Sequence, residues 1–214
     1  MSIECSIWDQ DCASDEKCNP WARNGSPTWN ATRCVPLDPD PSQASEPCIA
    51  QGGTSGFDDC GLAELCFGTD AEGNGTCVSF CGEPQSDPVC PEGLACAIMN
   101  EGVLALCLPT CDPLAPDCAE GEGCFPVDAT FVCLPAPTDA IMRGNCYLSG
   151  GCEPGTVCLA PLVVPGCEDD SGCCSPWCDF SSPECPADTD CLMWFEEDQA
   201  PPEYANVGVC GVLP

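Results

Sequence analysis

The cysteines of this chain constrain its fold more than any other residue type, because 26 of its 214 residues are Cys. A share of roughly 8 to 10% is already typical of a disulfide scaffold. The chain contains no His, and no two of its cysteines are separated by two residues, so it lacks the C-x2-C knuckles of structural zinc sites. We therefore expect the cysteines to be paired in disulfides, which persist in oxidising compartments outside the cytosol.

Aligning the cysteines reveals six repeats, each built around two Cys that are separated by five residues. One Cys precedes each central pair, and a closing Cys follows it. The repeats carry Cys at positions 5, 12, 18 and 34; 48, 60, 66 and 77; 81, 90, 96 and 107; 111, 118, 124 and 133; 146, 152, 158 and 174; and 178, 185, 191 and 210. The remaining two, Cys167 and Cys173, lie inside the fifth repeat and predict an additional bridge there.

Each repeat has the composition of a short β-hairpin. Turn formers lie between the second and third Cys, such as the Gly and Pro residues of repeats three, four and five, and favour a tight turn. β-prone segments surround the closing Cys. Large aliphatic side chains are scarce, so cross-links have to offset much of the entropy lost on folding. We predict a small disulfide-rich fold: a tandem array of six short β-hairpin units with little helix, each held by about two disulfides.

The residues alone leave the pairing within a repeat open, because four cysteines allow three connectivities. The spacing of the cysteines resembles the D-C-x-x-G-x-x-C pattern of small secreted disulfide knots of the colipase and Dickkopf group. This resemblance implies an interleaved pairing, first Cys to third and second to fourth. The implied pairs are 5-18, 12-34, 48-66, 60-77, 81-96, 90-107, 111-124, 118-133, 146-158, 152-174, 178-191 and 185-210, with 167-173 as the added bridge.

Two stretches without Cys divide the array, and both contain several Pro, which is typical of linkers. The predicted organisation is unit one at 1–34, a linker at 35–47, units two to four at 48–133, a linker at 134–145, and units five and six at 146–214. The first linker is predicted to be a semi-rigid, extended spacer. We also expect secretion or display at the cell surface, either after removal of a leader or through a lipoprotein anchor upstream of this sequence.

The charge is strongly negative, at −31, with Lys17, Arg23, Arg33 and Arg143 as the basic residues. This charge argues against nucleic acids and anionic membranes as partners. Paired acids are weak calcium-ligand candidates, although none has EF-hand spacing and solvated turn acids are the simpler interpretation. The calcium candidates are Asp9, Asp11, Asp58, Asp59, Asp169 and Asp170.

The long final loops of repeats one and six each carry several large aromatic residues. These are Trp21, Trp29, Trp194, Phe195 and Tyr204. One interpretation is that they cap the array or form its small apolar clusters. The other is that they form a recognition surface for a protein or a glycan.

The chain is not expected to be an enzyme and is not expected to hold a cofactor. Without His, Ser-His-Asp and Cys-His catalysis are excluded. The sequence also has no Gly-rich phosphate loop and no G-x-S-x-G elbow. Accidental pairs of acids are inevitable among 35 carboxylates, so no pair stands out as a general acid and base.

Four motifs resemble those of a cysteine-rich family of exported myxobacterial proteins: KCNPW at 17–21, WNATRC at 29–34, GCCSPWC at 172–178 and WFEE at 194–197. The function of that family is not established. Some members carry the label ribulose-phosphate epimerase. That enzyme is a TIM barrel with a metal held by His and Asp, and this chain has no His and no alternating strand and helix pattern.

These observations favour a non-catalytic, secreted or cell-surface structural or binding protein, acting in adhesion, matrix assembly or recognition of an unknown protein or glycan. The first alternative is a secreted inhibitor or toxin-like ligand, which would act through the long loop at 19–33 or at 192–209. The second is a calcium-dependent surface protein.

Overall fold

A computed structural model describes residues 2–26, 28–83, 85–136, 146, 151–168, 171–196 and 198–213. Their regular structure consists of short β-strands and single 3-10 turns, without an α-helix. The strands are β1 Ser2–Ile3, β2 Glu16–Trp21, β3 Ala31–Pro36, β4 Pro47–Ile49, β5 Glu64–Phe67, β6 Asn74–Ser79, β7 Leu94–Met99, β8 Leu104–Pro109, β9 Glu122–Val127, β10 Thr130–Pro135, β11 Thr156–Leu159, β12 Cys173–Asp179, β13 Asp190–Met193 and β14 Val207–Gly211. The predicted disulfide-rich small β fold is confirmed.

All cysteines are paired, and the pairs are the thirteen that the resemblance and the added bridge predicted. Every bridge except Cys167–Cys173 follows the interleaved order, first to third and second to fourth. No bridge joins one repeat to another. Each repeat is therefore closed covalently by itself.

A hairpin forms the centre of each repeat, in which the strand of the third Cys pairs with the strand of the closing Cys. Opposite residues of an antiparallel pair project to the same face, so the two bridges of a repeat lie side by side. This arrangement is seen in the pairs Cys18–Cys34, Cys66–Cys77, Cys124–Cys133, Cys158–Cys174 and Cys191–Cys210, which stand directly opposite each other.

The segment of the first Cys adds a third strand or bridge to this hairpin, which the sequence did not predict. It lies beside the closing strand, opposite the residue two places before the closing Cys. The contacts are Cys48 with Gly75, Cys81 with Ala105, Cys111 with Phe131, Cys146 with Gly172 and Cys178 with Gly208. In the first repeat β1 instead runs parallel to β3, with Ser2 opposite Ala31.

The C-x3-C junction between repeats five and six is a single continuous strand. Strand β12 carries both the closing Cys174 and the next first residue, Cys178. Its first half pairs with β11 and its second half with β14, in a four-stranded sheet of order β11-β12-β14-β13. The two repeats therefore share one sheet.

The chain divides into two compact units, Met1–Leu108 and Pro109–Pro214, each containing three repeats. The division falls within the stretch 48–133. The first linker, 35–47, is bound to the repeats at both ends: Val35 lies in β3, the Ser42 amide donates to the Asp59 carbonyl at 2.9 Å, and the Ser45 amide donates to the Cys77 carbonyl at 2.8 Å. Of the second linker, 134–145, residues 137–145 lie outside the described residues.

Candidate functional site

One face of the first repeat buries a cation against the second repeat. Lys17, Asn19 and Trp21 alternate along β2 and so share a face. Lys17 is fully buried, and its Nζ pairs with Asp58 Oδ1 and donates to the carbonyl of Cys60 at 2.7 Å. The Asn19 Nδ2 donates to Asp58 Oδ2 at 3.0 Å. The Asp58 carboxylate is therefore the centre of a buried polar network.

Arg33 lies on the neighbouring strand, within the same contact region. Its guanidinium carbon is 4.4 Å from the ring centroids of both Trp21 and Phe57, in a double cation–π contact. The Trp29 ring packs on Phe67 with centroids 6.2 Å apart. Trp21 and Trp29 thus pack the first repeat against the second, in line with the apolar-cluster interpretation.

This burial changes the charge that the surface presents. Lys17 is buried, Arg33 is half-buried, and Arg143 lies outside the described residues. Arg23 is the one exposed basic side chain in the part of the chain that the structure describes. The exposed charge of the first compact unit is therefore almost entirely carboxylate.

Phe131 is the centre of an aromatic cluster in the second compact unit. Its ring lies 5.3 Å from Trp177 and 4.8 Å from Tyr204, both edge to face, which is a favourable aromatic geometry. Trp194 and Phe195 are half-buried and cover the same ring. The three aromatic residues predicted in the last loop therefore assemble around one buried residue of the fourth repeat.

Tyr204 is 6% exposed, and its hydroxyl lies at the edge of an open cleft. The hydroxyl donates to the Cys111 carbonyl at 3.3 Å and lies 3.3 Å from the Thr130 hydroxyl. The cleft has a volume of about 460 Å³, within the range of small-molecule and side-chain pockets. It is lined by Thr110, Cys111, Asp112, Ala115, Asp117, Thr130, Glu203 and Tyr204.

The cleft is acidic, since Asp112, Asp117 and Glu203 contribute carboxylates and no Lys or Arg is among its lining residues. All three acids are exposed. Asp112 lies in a turn and accepts a hydrogen bond from the Leu114 amide at 2.9 Å. Such a concave set of acceptors favours a cationic donor such as an ammonium or a guanidinium group.

Sequence reasoning identified Tyr204 but missed the acids around it. In four repeats an acid stands directly before the second Cys, at Asp11, Asp59, Asp117 and Glu184, and for Asp117 this pattern was the available signal. Asp112 and Glu203 lie 91 positions apart in the numbering, and nothing in the sequence connects them. Their proximity depends on the packing of the sixth repeat against the fourth.

The structure brings the predicted calcium candidates into different environments. The Asp58 carboxylate is paired with the ammonium of Lys17. Asp59 Oδ1 accepts a hydrogen bond from the Ile49 amide at 2.8 Å. Asp11 Oδ1 accepts from the Ser6 amide at 2.7 Å. Asp9 lies beside Glu83. Asp169 and Asp170 lie outside the described residues.

Among the calcium candidates that the structure describes, Asp9 lies within hydrogen-bonding reach of a further carboxyl group, that of Glu83, which the sequence did not suggest as a ligand. A hydrogen bond with Asp9 and the negative charge of Asp9 raise the pKa of Glu83 above its ordinary value. By contrast, hydrogen bonds from Asn74 lower the pKa of Asp70. A divalent cation would relieve the repulsion between Asp9 and Glu83.

Clusters of cysteine sulfur atoms occur within 4.8 Å of one another, for example those of Cys81, Cys90 and Cys107. All of these atoms belong to disulfides. Because a metal binds the thiolate form, these sulfur atoms are not metal ligands in the disulfide-bonded protein.

Fold and sulfur chemistry together define the class of this chain, a disulfide-rich protein built from repeated small β units. No protein-family model, curated protein or solved structure matches it. Among the described residues, no helix is sufficiently long and apolar to cross a membrane.

Proposed function

We propose that this chain is a non-catalytic, secreted or cell-surface binding protein that recognises a basic side chain of a partner protein. The thirteen disulfides support the extracellular location, because cytosolic reductants keep thiols reduced. Knots closed within each repeat form a rigid scaffold, and a rigid scaffold lowers the entropy cost of binding.

The acidic cleft beside Tyr204 carries this proposal. A lysine or arginine side chain entering it meets the carboxylates of Asp112, Asp117 and Glu203, while the Thr130 hydroxyl offers a further acceptor. Charge-assisted hydrogen bonds of this kind contribute about 1.5 to 3 kcal/mol each. The high negative charge of the whole chain would also steer a basic partner towards it.

A tetra-arginine peptide tests the cleft. We expect NMR titration at low salt to shift the resonances of Thr130 and Tyr204 first, and added salt to weaken the binding. Asp117→Asn and Glu203→Gln are each expected to weaken binding about tenfold, which corresponds to roughly 1.4 kcal/mol.

Glu184→Gln is the matched control, because it removes the same charge from an exposed position of the second compact unit that does not line the cleft. It should weaken binding by less than about twofold. Equal losses in all three variants would mean that the peptide responds to overall charge, and the proposal for the cleft would be rejected.

The inhibitor alternative receives less support, because both long loops are packed. In the loop at 19–33, the Ala22 amide donates to the Thr54 carbonyl at 2.8 Å, and the Thr54 hydroxyl donates to the Ser26 carbonyl at 3.0 Å. In the loop at 192–209, Trp194 and Phe195 cover Phe131. Among the described residues of each loop, these contacts hold part of the loop against another repeat.

Calcium dependence is the second candidate function, favoured by the carboxyl pair of Asp9 and Glu83. Because the pKa of Glu83 is raised in the folded state, its contribution to stability is greatest below its ordinary pKa and is lost as the pH rises through the folded value. Above the folded pKa of Glu83, its carboxylate is repelled by the negative charge of Asp9.

We therefore expect Glu83→Gln to raise the midpoint of urea unfolding at pH 7 and to have less effect near pH 4. Calcium should raise the midpoint of the unmodified protein and should not do so in the variant. Glu92→Gln, an exposed change in the same repeat, is the control. If calcium stabilises Glu83→Gln as strongly as the unmodified protein, this pair is not its site.

A further inference from the structure

The hairpin loop of the first repeat presents Arg23 at its tip. Arg23 and Asn24 are the central residues of a turn that the Gly25 amide closes by donating to the Ala22 carbonyl at 3.0 Å. Gly25 has a φ of +70°, a conformation that glycine adopts without strain. The loop therefore projects one arginine side chain into solvent.

The side chain of Asn30 holds the two residues of this turn. Its Oδ1 accepts from the Arg23 amide at 3.0 Å, and its Nδ2 donates to Asn24 Oδ1 at 2.7 Å. Both hydrogen bonds are solvent-exposed. Water replaces these two bonds at little cost in free energy. Opening of the segment 22–26 also releases the two hydrogen bonds that Thr54 makes with Ala22 and Ser26, while the strands below it stay paired.

We propose that the peptide bond between Arg23 and Asn24 is a site of limited hydrolysis by serine proteases with trypsin-like specificity. Such proteases hold an arginine side chain in an acidic pocket next to the bond that they cleave. In the reaction the bond between the Arg23 carbonyl carbon and the Asn24 nitrogen breaks. Water supplies the hydroxyl of the new Arg23 carboxyl group and a proton of the new Asn24 amine.

The other described basic residues are protected from the same reaction. Lys17 is fully buried in β2, with its ammonium inside the second repeat. Arg33 lies in β3, which is paired on both sides by β1 and β2, and its guanidinium is held between two rings. Cleaving at either residue requires unfolding of a sheet, whereas cleaving at Arg23 requires opening of a turn.

The cut does not release a fragment, because the bridge between Cys12 and Cys34 spans it. The bridge between Cys5 and Cys18 keeps the amino-terminal piece folded on itself. Hydrolysis therefore converts the first repeat into a two-chain form that stays covalently attached until it is reduced. This inference is independent of the proposed binding cleft.

The test uses the full chain with its disulfides intact and with Arg143→Gln, so that the basic residue outside the described part does not contribute a cut. We expect trypsin to convert it to a species heavier by one water, which reduction separates into 1–23 and 24–214 by mass spectrometry. Cleavage after Arg23 should be at least about tenfold faster than after Lys17 or Arg33. Adding Arg23→Gln should abolish this cut.

The reduced and alkylated chain is the positive control, and it should be cut after Lys17, Arg23 and Arg33 at comparable rates. The proposal is overturned if the native protein is cut after Lys17 or Arg33 as fast as after Arg23, or if Arg23 is not cut. Stoichiometric inhibition of the protease without turnover would also overturn it, and would support an inhibitory role for the loop instead.

Discussion

Lys17→Met is expected to lower the free energy of unfolding of the first compact unit by about 3 to 5 kcal/mol, because it leaves a buried charge without its partner. The ammonium of Lys17 pairs with the Asp58 carboxylate, whose side chain is 1% exposed. It also donates to the carbonyls of Cys60 and Glu64, at 2.7 and 3.2 Å. Methionine has a similar shape but replaces none of these interactions.

The loss of stability should first affect the packing of repeat one against repeat two, while the disulfide-bonded repeats themselves stay folded. Each repeat is closed by its own disulfides, so the loss of the ion pair weakens the contact between repeats one and two. Fluorescence of Trp21 and Trp29 is expected to shift towards that of solvent-exposed indole at a lower denaturant concentration.

Arg23→Met is the matched control for this prediction. It removes the same charge from the same repeat, but from an exposed side chain, and it should change stability by less than about 0.5 kcal/mol. Guanidinium unfolding with the disulfides intact measures both variants. If the two variants differ by less than about 1 kcal/mol, the buried pair is not a determinant of stability.

Gly208→Ala is expected to destabilise the second compact unit by about 3 kcal/mol, at the upper end of overpacking effects. Gly208 lies in β14, between β12 and β13. A Cβ atom there would stand 2.7 Å from Cys191 Sγ, 2.8 Å from the Leu192 carbonyl oxygen and 3.2 Å from Cys178 Sγ. The first two distances are shorter than a Cβ atom tolerates, and the disulfide and backbone that form the obstacle have little freedom to move.

Gly151→Ala is the control for this substitution, because the described atom nearest to a Cβ there is the Cys146 Cβ, at an ordinary 3.7 Å. Because alanine restricts the backbone of the unfolded chain, Gly151→Ala should leave the free energy of unfolding unchanged or raise it slightly. Fluorescence of Trp177 and Trp194 follows the unfolding of this unit. Equal stability of the two variants would show that the sheet around Cys191 shifts to accommodate the added Cβ atom, contrary to the expectation.

The same steric argument explains why glycine recurs at the equivalent position of other repeats. Gly75 and Gly172 occupy the corresponding position in repeats two and five, and a Cβ atom would stand 3.1 Å from Cys66 Sγ in one and 3.0 Å from Cys158 Sγ in the other. At this position the first-to-third bridge crosses the closing strand. Phe131 takes the position in the fourth repeat and is the centre of the aromatic cluster, so glycine is not required everywhere.

The hairpins could be predicted because their signals are local. Turn formers and β-prone segments lie within a few residues of each other, and the cysteine spacing repeats six times. The residues alone left three pairings open in each repeat, and the resemblance to interleaved knots pointed to the one that the structure has. The third strand was missed, because a single Cys and its neighbours have no periodicity that indicates pairing.

The candidate site was predicted less well than the fold. Tyr204, Trp194 and Phe195 were identified as candidate binding residues from their place in a long loop. The acids that surround Tyr204 could not be identified, because Asp112 and Glu203 belong to different repeats. Trp21 and Trp29 were identified for the same reason, yet their contacts with the second repeat depend on partners such as Phe57 and Phe67.

The sequence by itself determined which covalent framework is possible, because a disulfide joins residues that a short chain segment can bring together, and the cysteine spacing repeats that condition in every unit. Tertiary structure alone decided which charges are buried and which form a surface. Lys17 and Asp58 are 41 positions apart, and their pairing follows from the docking of one knot on another. Burial and the neighbouring charges then determine the energies of the residues that this docking brings together. No local pattern in the sequence indicates which residues these are.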